Sequence, residues 1–259
     1  MTIFFLAAVL ATPTWGSAAG RVEIVNRADE AGLAHVLTAR AESLLTDLEK
    51  RFGLQADGRI SIILVSSREE FARAQPLGAS LPVWAAGVAY PDLSLIIIQA
   101  GTGEPWSAPE QVLSHEVTHL VLGRLFGRNP VPDWLNEGLT MHLSGDWGWD
   151  RRWAIARAMI SGRLIPLEKL IHKFPEDRLS AETAYAQSFY FITFLMDRFG
   201  RDRLAGLIRD LGMGVNSRHA LIRATGLRET DLQEQFYQWL NIRFSPVWFF
   251  AATDTWWAA

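Results

Sequence analysis

Hydrophobic positions along the chain change period once. From Arg21 to about Ala100, short β-type runs alternate with one helical stretch: "RVEIV", the helical "AGLAHVLTARAESLLTDLEKRFG", "RISIILVSS", and the pair "VWAAGVAY" and "LSLIIIQA". Runs of Ile, Val and Leu bounded by turn formers signal strands, whereas apolar residues at i, i+3 and i+4 signal helix. After Ser107 nearly every segment has helical period, with stops at Gly127, Gly145, Gly162, Gly200 and Gly212. The pattern predicts an α/β half over 20–106 and a helical half over 107–245, with no internal repeat or low-complexity linker.

The two ends differ from this body. "MTIFFLAAVLATPTWGSAAG" has an apolar run from Ile3 to Ala11, turn formers and then small residues. It reads as a signal peptide over 1–19 with cleavage near Ala18 or Ala19, and it is too short for the roughly 20 residues of a spanning helix. No Lys or Arg precedes the run, so a buried first strand or an uncleaved anchor is the alternative. An exported, periplasmic or extracytoplasmic location is expected. At the other end, 246–259 carry Trp248, Phe249, Phe250, Trp256 and Trp257. Such density suits association with a membrane surface or packing across a groove of the same domain.

Composition narrows the chemistry. A chain of 259 residues with 49% hydrophobic content can bury a substantial core. A net charge of −3 without a dense basic stripe gives no footprint for nucleic acid. Cysteine is absent, which removes disulfides, thiol nucleophiles and Cys-ligated metal. Any metal must be held by His, Asp or Glu.

The stretch "LSHEVTHLVL" then carries the strongest chemical signal. Ser107 with Glu110 reads as a capping box, Pro109 suits a first turn, and the helix runs to a stop at Gly127. His115 and His119 lie four apart, one above the other on one helix face, where both imidazoles can reach a single ion at about 2.0–2.1 Å. Glu116 projects beside them, as a general base for a zinc-activated water would. A partly buried His pair without metal is the structural alternative. The following helix, within "VPDWLNEGLTMHLSG", begins near Pro132, ends at Gly145 and offers Glu137 as a third ligand. Two His and one Glu leave a fourth position of one zinc ion open for water.

The string His115-Glu116-Val117-Thr118-His119 followed by "WLNEGL" resembles the gluzincin metallopeptidases, the group of thermolysin and the membrane alanyl aminopeptidases, and more narrowly the bacterial peptidase-MA-like domains. The resemblance covers roughly residues 60–210. It implies an α+β, zincin-like fold with an antiparallel edge strand above the metal, zinc ligation by His115, His119 and Glu137, and Glu116 as base. The third helix, "AETAYAQSFYFITFLMDRFG", is similar to one that carries a tyrosine supporting the oxyanion in aminopeptidase-like members, a place taken by Tyr185; Tyr190 is the weaker candidate. Two departures stand out. The segment between His119 and Glu137 is slightly shorter than in the best-known gluzincins, and Met141 stands where an aspartate orients a zinc-binding histidine in thermolysin-like enzymes, a task left to Asp133, Thr140 or a backbone carbonyl.

His35, His142, His172 and His219 receive no function, His142 being read as solvated or as a support to the site. Trp147, Trp149 and Trp153 read as packing residues or as the wall of a peptide pocket. The expected activity is zinc-dependent hydrolysis of peptides or proteins. The rivals are a catalytically silent peptide-binding module and an aminopeptidase. In aminopeptidase relatives a Gly-x-Met-Glu-Asn string pairs a glutamate with the substrate's α-amine. Here Gly87 is retained but Ala89-Tyr90-Pro91 replaces Met-Glu-Asn, which favours an endopeptidase. The strand "LSLIII" is expected at the edge, binding an extended peptide through its backbone.

Overall fold

The Ile- and Val-rich runs pair into a sheet of five strands: β1 (Thr14–Trp15), β2 (Val22–Asn26), β3 (Ile60–Val65), β4 (Gly87–Tyr90) and β5 (Leu95–Gln99), in the order β1-β2-β3-β5-β4. The computed structural model describes residues 14–15, 20–26, 31–54, 58–76, 85–100, 108–145, 149–171 and 174–244. The chain divides into two compact units, Met1–Gly127 with Leu143–Asp146 and Arg128–His142 with Trp147–Ala259.

In the first unit, β2, β3 and β5 run parallel, while β1 and β4 flank them antiparallel. Parallel strands need a crossover between them, and α1 (Ala31–Phe52) supplies it from β2 to β3. Alternation then sorts side chains between two faces. Ile24, Ile62, Leu64, Ile96 and Ile98 join Leu37, Leu45, Leu113, Val117 and Leu120 in one core, formed against α1 and α3 (Pro109–Phe126). Ile63, Val65 and Ile97 pack on the other face with Phe71 of α2 (Arg68–Ala74), a short helix that the periodicity did not predict. Its signal was a capping pair: Ser67 Oγ accepts from the Glu70 N–H, and the Glu70 carboxylate accepts from the Ser66 N–H. The buried Glu49 carboxylate accepts through both oxygens from Arg21 Nη1, at 3.0 and 2.8 Å, fastening α1 to the start of β2.

The start of α3 differs from the expected capping box. Ser107 lies outside the described residues, and the cap is Ala108, which makes no side-chain hydrogen bond. Pro109 does stand at the first turn, and Gly127 ends the helix as expected, its N–H donating to Gly123. With one end uncapped, burial must hold α3. Each fully buried Leu contributes about 1.5–3 kcal/mol, several times the tenths of a kcal/mol that separate ordinary helix propensities.

The strand expected at the edge is internal. β5, the "LSLIII" strand, is hydrogen-bonded to β3 on one side and β4 on the other, so it has no free edge for a peptide. The edge is β4, antiparallel as the resemblance implied, and it reaches β5 through a 3₁₀ turn at Pro91–Leu93 with Ser94 in the left-handed region at φ 49°. α3 closes tightly on this hairpin, because Gly123 leaves the space that the Pro91 ring fills.

The second unit holds α4 (Asp133–Ser144) as far as His142, α5 (Trp149–Ile160), α6 (Arg178–Phe199), α7 (Arg201–Gly212), α8 (Ser217–Thr225) and α9 (Glu229–Arg243). Nearly every residue of α6 from Ala181 to Leu195 is buried, so its polar members there must find partners inside the unit. Asp177 caps it by accepting from the Ser180 N–H, a bond that lowers the Asp177 pKa. Phe191 and Phe194 of α6 interlock with Phe236 of α9, and Phe191 meets Trp134 of α4 edge to face at 4.8 Å. The fully buried Gln187 accepts from the Ile165 N–H at 2.6 Å and donates to the Ile165 carbonyl at 2.8 Å. No helix among the described residues is long and apolar enough to cross a membrane. The apolar segment at 1–13, residues 16–19 and the aromatic tail at 246–259 lie outside the described residues, although Thr14 and Trp15 within the expected leader pair with Asn26 and Val25.

α4 approaches α6 at Gly138, where an added Cβ would sit 2.5 Å from the Ser188 carbonyl oxygen and 2.7 Å from Ile192 Cγ1. Gly138→Ala is expected to lower unfolding stability by about 1–3 kcal/mol, because overpacking against backbone outweighs the roughly 1 kcal/mol of helix propensity that alanine gains. Urea unfolding followed by circular dichroism measures it, and a stabilised variant would contradict the packing described.

Candidate metal centre and active site

His115 and His119 both lie on α3, one turn apart and half-buried, with their Nε2 atoms 3.0 Å from each other. Two imidazole nitrogens at that distance repel unless a proton or a cation lies between them. A tetrahedral ion with arms of about 2.0–2.1 Å spaces its ligand atoms about 3.3 Å apart, close to what is seen. Glu137 on α4 completes the group: His115, His119 and Glu137 each offer one ligand atom, and these atoms all lie within 4.8 Å of one another. The residues therefore fit a metal ion by spacing and by donor chemistry, since neutral nitrogens and one carboxylate oxygen make a site for a divalent cation without cysteine.

Glu116 occupies the neighbouring face of the same helix and is only 7% exposed. It turns toward β4, where a Cβ built on Gly87 would lie 2.9 Å from Glu116 Oε1 and 2.8 Å from Glu116 Cγ. Its negative charge is felt at Tyr90 on the same strand. Burial first, and the Glu116 charge second, raise the Tyr90 pKa, and the neutral hydroxyl donates to Gln75 Oε1 at 2.6 Å. Behind the ligands, Arg40 Nε donates to Ser114 Oγ at 3.2 Å, tying α1 to the residue before His115.

The sequence profile of the peptidase MA superfamily matches residues 40–242. The chain belongs to the peptidase MA superfamily. No curated protein matches it. In this peptidase MA chain the matched span holds all of α3, α4 and α6, and so His115, Glu116, His119, Glu137 and Tyr185.

Tyr185 lies at the start of the third turn of α6, half-buried, its ring meeting Phe174 edge to face at 4.9 Å. Tyr190 is buried among Phe189, Trp239 and Phe244, with its pKa raised by that burial, and reads as core. Of the other histidines, His172 lies outside the described residues, and His35 is exposed. The aromatic cluster is described only in part: Trp147 lies outside, and Trp153 on α5 is 63% exposed, so Trp153 is not a core residue.

His142 is not a solvated histidine. Its ring stacks on Phe189 at 4.5 Å and 4°, and Nε2 lies 3.0 Å from Thr193 Oγ1 and 3.3 Å from the Phe189 carbonyl, an arrangement that the Nε2–H tautomer satisfies by donating. The sequence held the signal, because His142 follows Gly138 by four residues and so shares the face of α4 that packs on α6.

Burial lowers the His142 pKa from 6.5 to about 4, opposed by the Phe189 carbonyl and assisted by the Arg151 guanidinium. The unfolded chain binds this proton near pH 6.5 and the folded chain only near pH 4, so stability is intact above 6.5 and is lost as pH falls through that window. Between pH 7 and pH 5 the histidine accounts for a loss of about 2 kcal/mol. His142→Phe, which keeps a stacking ring without the titration, is expected to show a correspondingly smaller loss over that interval in urea unfolding. Identical pH dependence in the two proteins would refute the neutral, half-buried assignment.

Proposed function

We propose that the protein is a zinc-dependent endopeptidase. The observation that carries this is the convergence of His115, His119 and Glu137 within 4.8 Å, beside a buried Glu116 whose carboxylate lies against the antiparallel edge strand. Membership of the peptidase MA superfamily supports a peptidase. The donor set supports zinc, which is commonly held by two histidines and one glutamate with a position left over for water.

When bound, the ion supplies Lewis acidity, polarising the scissile carbonyl and bringing the pKa of water down toward about 7. Glu116, adjacent in sequence to a ligand but turned to the strand, removes a proton from the attacking water and returns it to the departing amine. Its low exposure keeps bulk water from competing for that proton. Tyr185 donates its hydroxyl to the oxyanion of the tetrahedral intermediate, a role that rests on the family resemblance. β4 offers backbone donors and acceptors to an extended peptide, since its outer side is unpaired among the described residues. Such bonds need no chain end. The strand reads Gly87-Val88-Ala89-Tyr90 and carries no carboxylate to pair with a substrate's α-amine, which favours cleavage within a chain over removal of single N-terminal residues. The apolar leader supports export, and the aromatic tail supports association with a membrane surface.

Glu116→Gln is expected to keep the ion and lose activity by about 10²–10⁴-fold, whereas Glu137→Ala is expected to lose the ion. Elemental analysis of the purified proteins together with hydrolysis of a quenched peptide library reads both. Equal zinc in wild type and Glu137→Ala would show the third ligand to be wrong, and an inert wild type loaded with zinc would favour a silent binding module. Acetylating the N-terminus of a cleaved peptide is expected to leave turnover intact. Its abolition, with single residues released from the free form, would make the protein an aminopeptidase.

A further inference from the structure

We infer that Gly87 is a positioning residue for Glu116, resting on the assignment of Glu116 as base. Gly87 opens β4, a place that does not by itself require glycine, so its presence calls for a reason. The reason is not backbone conformation: Gly87 is absent from the glycines at positive φ, and its dihedrals are open to any residue. The reason is space. Alternation along β4 places Gly87 and Ala89 toward the core shared with α1 and α3, and Val88 and Tyr90 toward the opposite core. Ala89 carries a Cβ on that face without difficulty. At Gly87 a Cβ would instead lie 2.6 Å from Val112 Cγ1, 2.8 Å from Glu116 Cγ and 2.9 Å from Glu116 Oε1, closer than real Cβ atoms approach.

Val112 and Glu116 stand one turn apart on α3, so both side chains fill the room that the missing side chain leaves. The carboxylate is thereby seated against the strand backbone and beside the His115–His119 pair. A methyl at this position evicts it by a distance of the order of an ångström, a scale on which misplacement costs about 100-fold in rate. Glycine here is selected by the base it accommodates.

The test uses the full chain loaded with zinc and a quenched peptide that the wild type cleaves. Gly87→Ala is expected to keep zinc content and KM while kcat falls by about 100-fold. Because the added methyl also meets Val112, Gly87→Ala/Val112→Ala is compared with Val112→Ala alone. Relief of the Val112 contact gives the double variant room to fold even if the single variant does not, and its kcat is expected to stay low. Recovery of the double variant to the level of Val112→Ala would assign the loss to packing and overturn the inference, as would a wild-type kcat in Gly87→Ala. Retained turnover in Glu116→Gln removes the base assignment itself, and the role of Gly87 with it.

Discussion

The close approach of α3 to the β4–β5 hairpin is the constraint on which the first unit's chemistry depends. It is made possible twice by the lack of a side chain, at Gly87 beneath Val112 and Glu116 and at Gly123 beneath the Pro91 ring. Between these two points the helix lies in a fixed rotation over the strand. Rotation matters because adjacent residues of a helix point about 100° apart. With Glu116 directed at the strand, His115 and His119 are held on the neighbouring face, so one packing decision separates a general base from a pair of ligands. The apolar contacts of Leu113, Val117, Leu120 and Val121 hold this rotation from the core side.

Polar groups in the interior are treated differently according to their task. Glu49 is buried and paired through both carboxylate oxygens with Arg21 Nη1, and the half-buried His142 gives up its charge. Glu116 is buried against the start of β4 at Gly87, and its charge is felt at Tyr90.

Much of this was legible in the sequence because it is local. Apolar periodicity located α1, α3, α4 and α6, glycine stops ended them, and the i, i+4 spacing put His115 and His119 on one face. What depended on distant partners was not legible. Strand order is not written in any single run, so β5, a strand buried along its whole length, was expected at the edge when its apolarity in fact reflects neighbours on both sides and both faces. The burial of His142 follows from α6, more than forty residues away in sequence, and the cap expected at Ser107 gave way to an uncapped start held by packing. Tyr185 could be singled out only by resemblance, since nothing about a tyrosine on an apolar helix distinguishes an oxyanion donor from a core edge.

The pairing of Gln187 with Ile165 bears on Tyr185, two residues earlier on the same helix. Apolar packing along α6 is non-directional and tolerates small shifts along the axis that a hydrogen bond does not. A carboxamide that must meet one N–H and one C=O at once removes that freedom, because a slip of a fraction of a turn breaks both bonds. Glutamate would lack the donor, and leucine would lack both functions. Gln187 thus serves as a datum from which positions along α6 are measured, and the tolerance on any hydroxyl the helix carries is set by the length of a hydrogen bond instead of by the looser fit of apolar surfaces.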